Sequence, residues 1–557
     1  VLLGPTPRYS FRQRAELISG LTERRITTFS FVGHDDLDLG VVAARTPPTE
    51  TLVSRRAALN LRELILGAGV DELPVLISAD PQLVIEGTAA AAVGYRPSLI
   101  TLGYATIRNR EALQLEEISL ELDEAMRLAE RGNRDLVISG EQVEISRRER
   151  QLTLSPMLPQ IGAGIDATWQ EPGALEGLIP DRLVSTGVQA RQMIYDDETI
   201  SRYRASGRLY EGQQQNNEVV RLDVLRDAGG AFLRLQLARA LYELELQNLR
   251  LTEQNLDLAR FRVDVGYSGR DEVFRWEAEV AKRRSDLYRR IAAVESQRVA
   301  LNQLLAVDQA TRWDPREIPV DSRIFPLLDG RLPDLVTDID DLEAFRAFAV
   351  GFAVETAPEL LSVGKSREAQ EIQLGQRKRA WFLPSFSAAF NWMYQIDRDP
   401  TLEGLTRSFP QLQVGATYPV FQGAARSFEV GRSTAELNRI TEQERLTRDR
   451  IERRARTALS NLEASFPSIR FRRTAAENAR RSFELVQDKY AQGLVNITDL
   501  LVAQTESFAA NQSAAASVSL FLIDLVDFQR SIAWFEFEQP PEEQAVLLQR
   551  IQNATEN

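Results

Sequence analysis

Cysteine is absent from the 557 residues, and histidine occurs once, at His34. The first absence excludes a disulfide scaffold, a thiol nucleophile and a thiolate metal site. The second rules out a multi-histidine metal site and argues against a serine–histidine relay. Basic charge is also short: 67 Lys and Arg stand against 80 Asp and Glu, a net charge of −13, which argues against a nucleic-acid partner. No continuous apolar run reaches the roughly 18 to 20 residues of a transmembrane helix; Ser519–Val526, the best candidate, is short and carries Asp524. That speaks against a helical membrane protein but leaves a β-barrel open, because barrel strands show only weak alternation. No GxxxxGK[S/T] phosphate cradle occurs, so no ATP-driven motor is expected. Neither an enzyme, a cofactor nor a metal is expected. The chain opens on Val1-Leu2-Leu3, which reads as a strand, so a processed or incomplete product is expected.

What is present is a repeat. Leu158-Pro-Gln-Ile-Gly-Ala-Gly-Ile-Asp-Ala-Thr-Trp-Gln170 recurs as Leu383-Pro-Ser-Phe-Ser-Ala-Ala-Phe-Asn-Trp-Met-Tyr-Gln395, 225 residues on. Residues 188–195 match 414–421 at an offset of 226, and 266–279 match 493–506 at 227. Each copy reads as helix, strand, loop, strand, very long helix, tight turn, helix. In the first copy these are about 120–154, 158–170, 182–195, 201–265 and 271–305; in the second, about 342–382, 383–396, 408–421, 427–490 and 498–536. The pieces are therefore 1–107, an α/β addition; 108–305, the first repeat; 306–341, a connector rich in proline and aspartate; 342–537, the second repeat; and 538–557, a C-terminal tail.

The repeat strands alternate with a period of two. Ile161, Ala163, Ile165, Ala167 and Trp169 share one face, as do Phe386, Ala388, Phe390, Trp392 and Tyr394, and then Leu412, Val414, Ala416 and Tyr418. A soluble sandwich alternates in the same way. Two features point elsewhere. Aromatics gather near strand ends, at Trp169, Tyr195, Trp392, Tyr394 and Tyr418, as in the girdles of membrane barrels. Four repeat strands are also too few to close a barrel, so several copies must contribute. The long helices add a second clue. About 65 residues make a rod of roughly 100 Å, and Leu237, Leu244, Leu251, Leu258 and Val265 form one heptad seam while Leu235, Tyr242, Leu249, Leu256 and Val263 form another. Positions two apart differ by about 200°, so each helix has a neighbour on either side, like a stave.

The second copy resembles the TolC-type outer-membrane efflux proteins, in Tyr418-Pro-Val-Phe-Gln-Gly-Ala-Ala-Arg426 after its last strand and in Tyr490-Ala-Gln-Gly-Leu-Val-Asn-Ile-Thr-Asp-Leu-Leu-Val-Ala-Gln504 at its helix turn. The resemblance covers about 110–537, and the family shares the duplication. It implies a mixed, mainly α fold: long antiparallel helices in an α-helical barrel, and four strands per chain in a homotrimer's twelve-stranded transmembrane β-barrel. It also implies a channel or exit duct for efflux or type I secretion. Such a duct sits in outer-membrane lipid with its tunnel in the periplasm, beside a periplasmic adaptor and an inner-membrane transporter.

The turns at 266–272 and 490–499 close the long hairpins, with Gly266, Gly269 and Gly493 expected to supply tight-turn conformations. Arg270, Asp271, Glu272 and Asp499 open the return helices, where acids suit the helix dipole. The resemblance adds a gate: Asp499 matches a ring aspartate, Tyr490 a gating tyrosine, and Glu272 the tyrosine's acidic partner. The second ring acid falls at Val502 and the gate arginine at Val495, so closure is expected to be weaker or to use Arg270. Dewetting at Leu494, Val495 or Val502 is a further route. The tips near 262–275 and 486–503 are the expected adaptor-docking grooves.

Residues 1–107 show an α/β pattern: strands at 1–3, 28–32, 74–77 and 83–86, and helices at 11–25, 54–66 and 88–93, with 38–44 left ambiguous. The stretches 57–67, 73–75 and 89–97 are similar to the latter part of periplasmic substrate-binding proteins of ABC importers. His34, Asp35 and Asp36 read as a surface loop. Two other functions stay open: a soluble periplasmic coiled-coil scaffold or adaptor, and a channel biased by ligand sensing in 1–107. Detergent dependence separates the first from a barrel: the purified protein is expected to aggregate when detergent is withdrawn, and monodisperse behaviour without it would exclude the barrel.

Overall fold

The computed structural model describes all residues except 5–8, 46–49, 68, 74–82, 98–100, 102–104, 110–111, 113–116, 170–181, 265–267, 319–338, 399–405 and 556–557. The expected strand at 74–77 and most of the connector lie outside the described residues. The chain forms two compact units: residues 1–125, 228–320 and 463–523 make one, and 126–227, 321–462 and 524–557 make the other.

The first unit begins with strands β1 (Leu2–Leu3), β2 (Phe29–Ser30), β3 (Ala43–Arg45), β4 (Leu83–Glu86) and β5 (Thr106–Arg108), paired in that order. Only β3 and β4 run antiparallel. Helices α1 (Phe11–Glu23), α2 (His34–Asp38), α3 (Glu50–Ile65) and α4 (Gly87–Val93) alternate with the strands. Val42, Ile85, Ala89, Ala90 and Val93 form the core between sheet and α4. Asp36 is not on a surface loop as expected: it is fully buried in α2, bonded by Arg14 and Ser30. Asp35 is exposed. A second correction concerns the connector, whose start is ordered. β9 (Trp313–Pro315) pairs in parallel with β6 (Ile118–Leu120), and Trp313 is buried with its Nε1 donating to Asn302 Oδ1 at 2.6 Å.

The repeat strands form one antiparallel sheet in the second unit. β7 (Gln160–Trp169), β8 (Arg182–Tyr195), β10 (Ser385–Arg398) and β11 (Ser408–Thr417) lie in the order β11-β10-β8-β7. Register makes the alternation continuous across strands. Ile161, Ala190, Phe390 and Leu412 form one row, and Ala163, Val188, Trp392 and Pro410 the next. On the opposite face, Gly162, Gln189, Asn391 and Gln411 share a row. The apolar face is uncovered: Ile161, Ile165, Leu412 and Val414 are 73, 72, 72 and 68% exposed. Gly187 is required where β8 meets β10, because a Cβ there would fall 2.7 Å from the Trp392 carbonyl oxygen.

The helices repeat in length. α7 (Asp197–Asp264) has 68 residues and α11 (Ala425–Ala491) has 67; the return helices α8 (Arg270–Leu305) and α12 (Ile497–Ser531) have 36 and 35. At 1.5 Å per residue each long helix rises about 100 Å. Each incoming helix, expected to be single, is broken. α5 (Leu122–Gly132) gives way to α6 (Arg134–Leu154) at Asn133, whose side chain caps α6 by accepting from the backbone N–H of Asp135 at 2.9 Å and Leu136 at 3.3 Å. α9 (Ile339–Thr356) and α10 (Pro358–Arg379) meet at a 45° bend, where Pro358 lacks the N–H that would continue the helix. The expected C-terminal tail contains helix α13 (Pro541–Thr555), which packs on α9 through Leu547 and Ile551, with Arg550 bonded to Glu355 at 2.8 Å.

By length and composition α12 is apolar enough to cross a membrane, a property that a search for unbroken apolar runs misses. It is a packed helix, with Ile497, Leu500 and Ala503 joining Leu249 and Leu256 of α7, Trp276 and Leu287 of α8, and Phe483 of α11 in one core. Of the two seams on α7, Leu235, Leu249 and Leu256 are buried while Leu237, Leu244, Leu251 and Leu258 are only partly so. Asn133→Ala is expected to cost about 1 kcal/mol through loss of the cap, read as a lower denaturant midpoint for helix unfolding.

Candidate functional site at the helix turns

The α11–α12 turn is built on Gly493, which adopts φ +76°. Its N–H bonds the Tyr490 carbonyl at 3.0 Å, and the Leu494 N–H bonds the Lys489 carbonyl at 2.9 Å, a left-handed helix C-terminus. Asn496 then starts α12 through a reciprocal cap. Asp499 N–H donates to Asn496 Oδ1 at 3.0 Å, and Asn496 N–H donates to Asp499 Oδ2 at 3.3 Å. At the other turn Gly269 has an ordinary φ of −85° and precedes α8. A Cβ there would stand 2.5 Å from Asp271 Oδ1, the tip of an exposed side chain that can move aside. Gly266 lies outside the described residues.

Above Gly493, the structure brings together residues from three helices. Tyr490 is fully buried in the core of α7, α8, α11 and α12, and its hydroxyl donates to Glu272 Oε2 at 3.0 Å. Arg262 of α7 lies over the Tyr490 ring, 4.3 Å from its centroid, and donates to the Tyr490 carbonyl. Arg262 Nε is 3.8 Å from Glu272 Oε2. One guanidinium thus holds a ring face, a main-chain carbonyl and a carboxylate. Burial pushes the Tyr490 phenol above its ordinary pKa, with the Glu272 charge adding to it. The phenol is therefore a donor throughout the neutral range.

The expected pair Tyr490 and Glu272 is in contact, but the cation beside it is Arg262, whereas Arg270 is exposed. Asp271 and Asp499 are exposed as well. Val495 packs against the core; Leu494 and Val502 are 69 and 51% exposed. Arg262 had a signature in the sequence. Asn248, Asn255 and Arg262 recur every seven residues on α7 and are buried, a polar stripe between the two apolar seams. Asn255 Nδ2 donates to Gln504 Oε1 at 3.1 Å, and Gln504 Nε2 donates to Thr252 Oγ1 at 2.8 Å. Searching for apolar heptads alone passes over it.

At the sheet, Tyr418 donates its hydroxyl to the Trp381 carbonyl at 2.7 Å, and Arg426 lies over both rings. Tyr195 pairs with Phe386 in the same region. Trp392 and Tyr394 lie six and eight residues further along β10, and Trp392 Nε1 donates to Ser408 Oγ at 2.9 Å. Trp169 is exposed near the end of β7.

Comparison with known proteins matches this architecture. The model of the outer membrane efflux protein family matches residues 125–307 and 351–526, well over half of the chain. The outer membrane efflux protein BepC of Brucella suis is 23% identical over 331 residues, which cover 58% of this chain and 66% of BepC. Among solved structures, the fold is similar to that of CusC, described by its transmembrane channel formation, with TM-score 0.64 and 15% identity over 75% of this chain and 94% of that one. It is also similar to the outer membrane channel CmeC of Campylobacter jejuni, with TM-score 0.63 and 15% identity over 77 and 89% of the two chains. The chain belongs to the outer membrane efflux protein family, a TolC-like transport protein of the outer membrane.

Proposed function

We propose that the chain is one third of a passive exit duct for efflux or type I secretion. Three copies contribute twelve strands to one transmembrane barrel, and their long helices line a periplasmic tunnel. The observation that carries this is the sheet with an uncovered apolar face, a polar opposite face and two open edges, β7 and β11. In hydrocarbon those edges must be paired, and lipid suits the apolar face. Aromatic rows give the height. Phe386 and Tyr394, eight residues apart on β10, are separated by about 27 Å along the strand at roughly 3.4 Å per residue, which is about 20 Å of height at the usual strand tilt and within the apolar band of about 25 Å in such barrels. Tyr195 and Tyr418 belong to one girdle, and Trp392 and Tyr394 to the other; Trp169, paired with Arg182, lies further along the strands.

Energy then comes from elsewhere. A periplasmic adaptor docks at the tips around Gly269 and Gly493 and links the duct to an inner-membrane transporter. Residues 1–107 form an added periplasmic α/β piece. The tyrosine contact works as a latch near the tip: Arg262 and Glu272 hold Tyr490 in the core, while Asp271 and Asp499 present negative charge that favours cations. The latch does not use Arg270. Val495 and Val502, where the resembling family carries polar groups, reduce the contacts closure can draw on.

Class averages of the protein in detergent are expected to have threefold symmetry with a barrel and a long tube; their absence would overturn the duct. In planar bilayers, Tyr490→Phe and Arg262→Gln are each expected to raise mean conductance at least twofold, with Asp499→Ala mainly weakening cation preference. Wild-type conductance in both latch variants would remove the latch. The raised phenol pKa sets the pH sign. Stability from the protonated hydroxyl is fully present below its ordinary pKa of about 10 and is lost as pH rises through the higher folded value. Leak gated by this group is therefore expected to stay flat through neutral pH and rise only in strong alkali.

A further inference from the structure

In the second unit, a cavity of about 760 Å³ is lined by five arginines, Arg226, Arg450, Arg453, Arg454 and Arg530, against two carboxylates, Glu359 and Asp527. The lining therefore carries a surplus of three positive charges. Arg530 is nearly fully buried, its side chain 2% exposed, and its Nε donates to Asp223 Oδ1 at 2.7 Å and its Nη2 to Glu359 Oε1 at 3.0 Å. Arg454 Nη1 donates to that same Glu359 oxygen at 2.8 Å. Three buried guanidinium nitrogens are left over: Arg530 Nη1, Arg454 Nε and Arg454 Nη2 have no acceptor. Buried donors attached to a charge are costly to leave unmet, and guanidinium forks match oxyanions.

The cavity also holds an unmet acceptor. Glu359 Oε2 is buried without a donor. Burial pushes the Glu359 carboxyl up, but Arg530 and Arg454 outweigh it and hold it below the ordinary carboxylate range. It is thus ionised and accepts only. These four atoms, three donors and one acceptor, are each almost wholly inaccessible, so an anion entering the cavity meets them as the Arg454 and Arg530 side chains turn toward it. It must then offer several acceptor oxygens to the arginines and one O–H to Glu359. Hydrogenphosphate has both; sulfate at neutral pH has no proton to give. Arg450 and Arg453 are exposed residues of the lining, placed to draw an anion in from solvent.

We propose that this cavity is a binding site for free inorganic phosphate, held by Arg454 and Arg530 and selected by the hydrogen bond its proton donates to Glu359. The test is isothermal titration calorimetry of the full chain in detergent at pH 7 and fixed ionic strength, with phosphate, sulfate and chloride as probes. Saturable phosphate binding at one site per chain is expected, at least tenfold tighter than sulfate, with no saturable chloride binding. Arg454→Gln is expected to weaken phosphate at least tenfold. Arg450→Gln and Arg453→Gln, at exposed positions where folding is not at stake, are expected to weaken it at least threefold. Arg445→Gln, on the same helix outside the cavity, is expected to change nothing. An absence of saturable phosphate heat would overturn the site, as happens if an acidic side chain of a second copy fills it. Equal binding of sulfate, or unchanged affinity in Arg450→Gln and Arg453→Gln, would overturn it too. The readout is heat of binding, so it stands or falls independently of transport.

Discussion

Everything distinctive about this chain follows from a sheet that cannot be completed by its own strands. β7 and β11 each present ten residues to an open edge, and the face that should be a core is bare. In water such a sheet would invite edge-to-edge association. In hydrocarbon an unpaired backbone group costs several kcal/mol, so the same edges become a strong specification of partners. A homo-oligomer meets that specification with no new sequence, because β7 of one copy can pair with β11 of the next. The register already aligned within the chain, from Ile161 through Ala190 and Phe390 to Leu412, is the pattern such a closure would continue.

The helices solve a related problem by different means. α7 buries the seam of Leu235, Leu249 and Leu256 and keeps the seam of Leu237, Leu244, Leu251 and Leu258 half-covered. Between the seams lies the stripe of Asn248, Thr252, Asn255 and Arg262, met by Gln504 and Tyr490. Apolar contacts alone would allow long helices to slide by a turn at modest cost. Paired amides and a guanidinium on a phenol do not tolerate that shift, since each would leave a buried polar group unsatisfied. Register along the hairpin is therefore held by hydrogen bonds, and adhesion by leucine.

Much of this was legible in the sequence, for reasons that can be stated. The duplication, the repeat strands and the turns announce themselves through period, spacing and glycine, which are local properties. The breaks at Asn133 and Pro358 carry local marks, an asparagine cap and a proline at a helix start, but the flanking segments are both helix formers, and whether two helices run on or bend is decided by their packing. Residues 313–315 look like proline-rich connector until β6 supplies a partner, because a three-residue strand exists only by pairing. Asp36 reads as an exposed acid until Arg14 is folded over it. The arginine cavity is the least legible feature of all. Arg226, Glu359, Arg454 and Arg530 come from four helices, and no window of sequence contains two of those helices' contributions together.

The two turns are not chemically equivalent. With the offset of 227, Glu272 and Asp499 are counterparts, as are Val263 and Tyr490. One acid turns inward to a phenol; the other, one methylene shorter, accepts from the N–H of the cap residue Asn496 and stays in water. Six identical repeats around an axis would treat every such acid alike. Two copies carried on one chain can differ, so that around the proposed ring of three chains bound and free acids would alternate. Such a mouth would be pseudo-sixfold in its backbone and only threefold in its chemistry, and any partner that docks there would meet two kinds of groove.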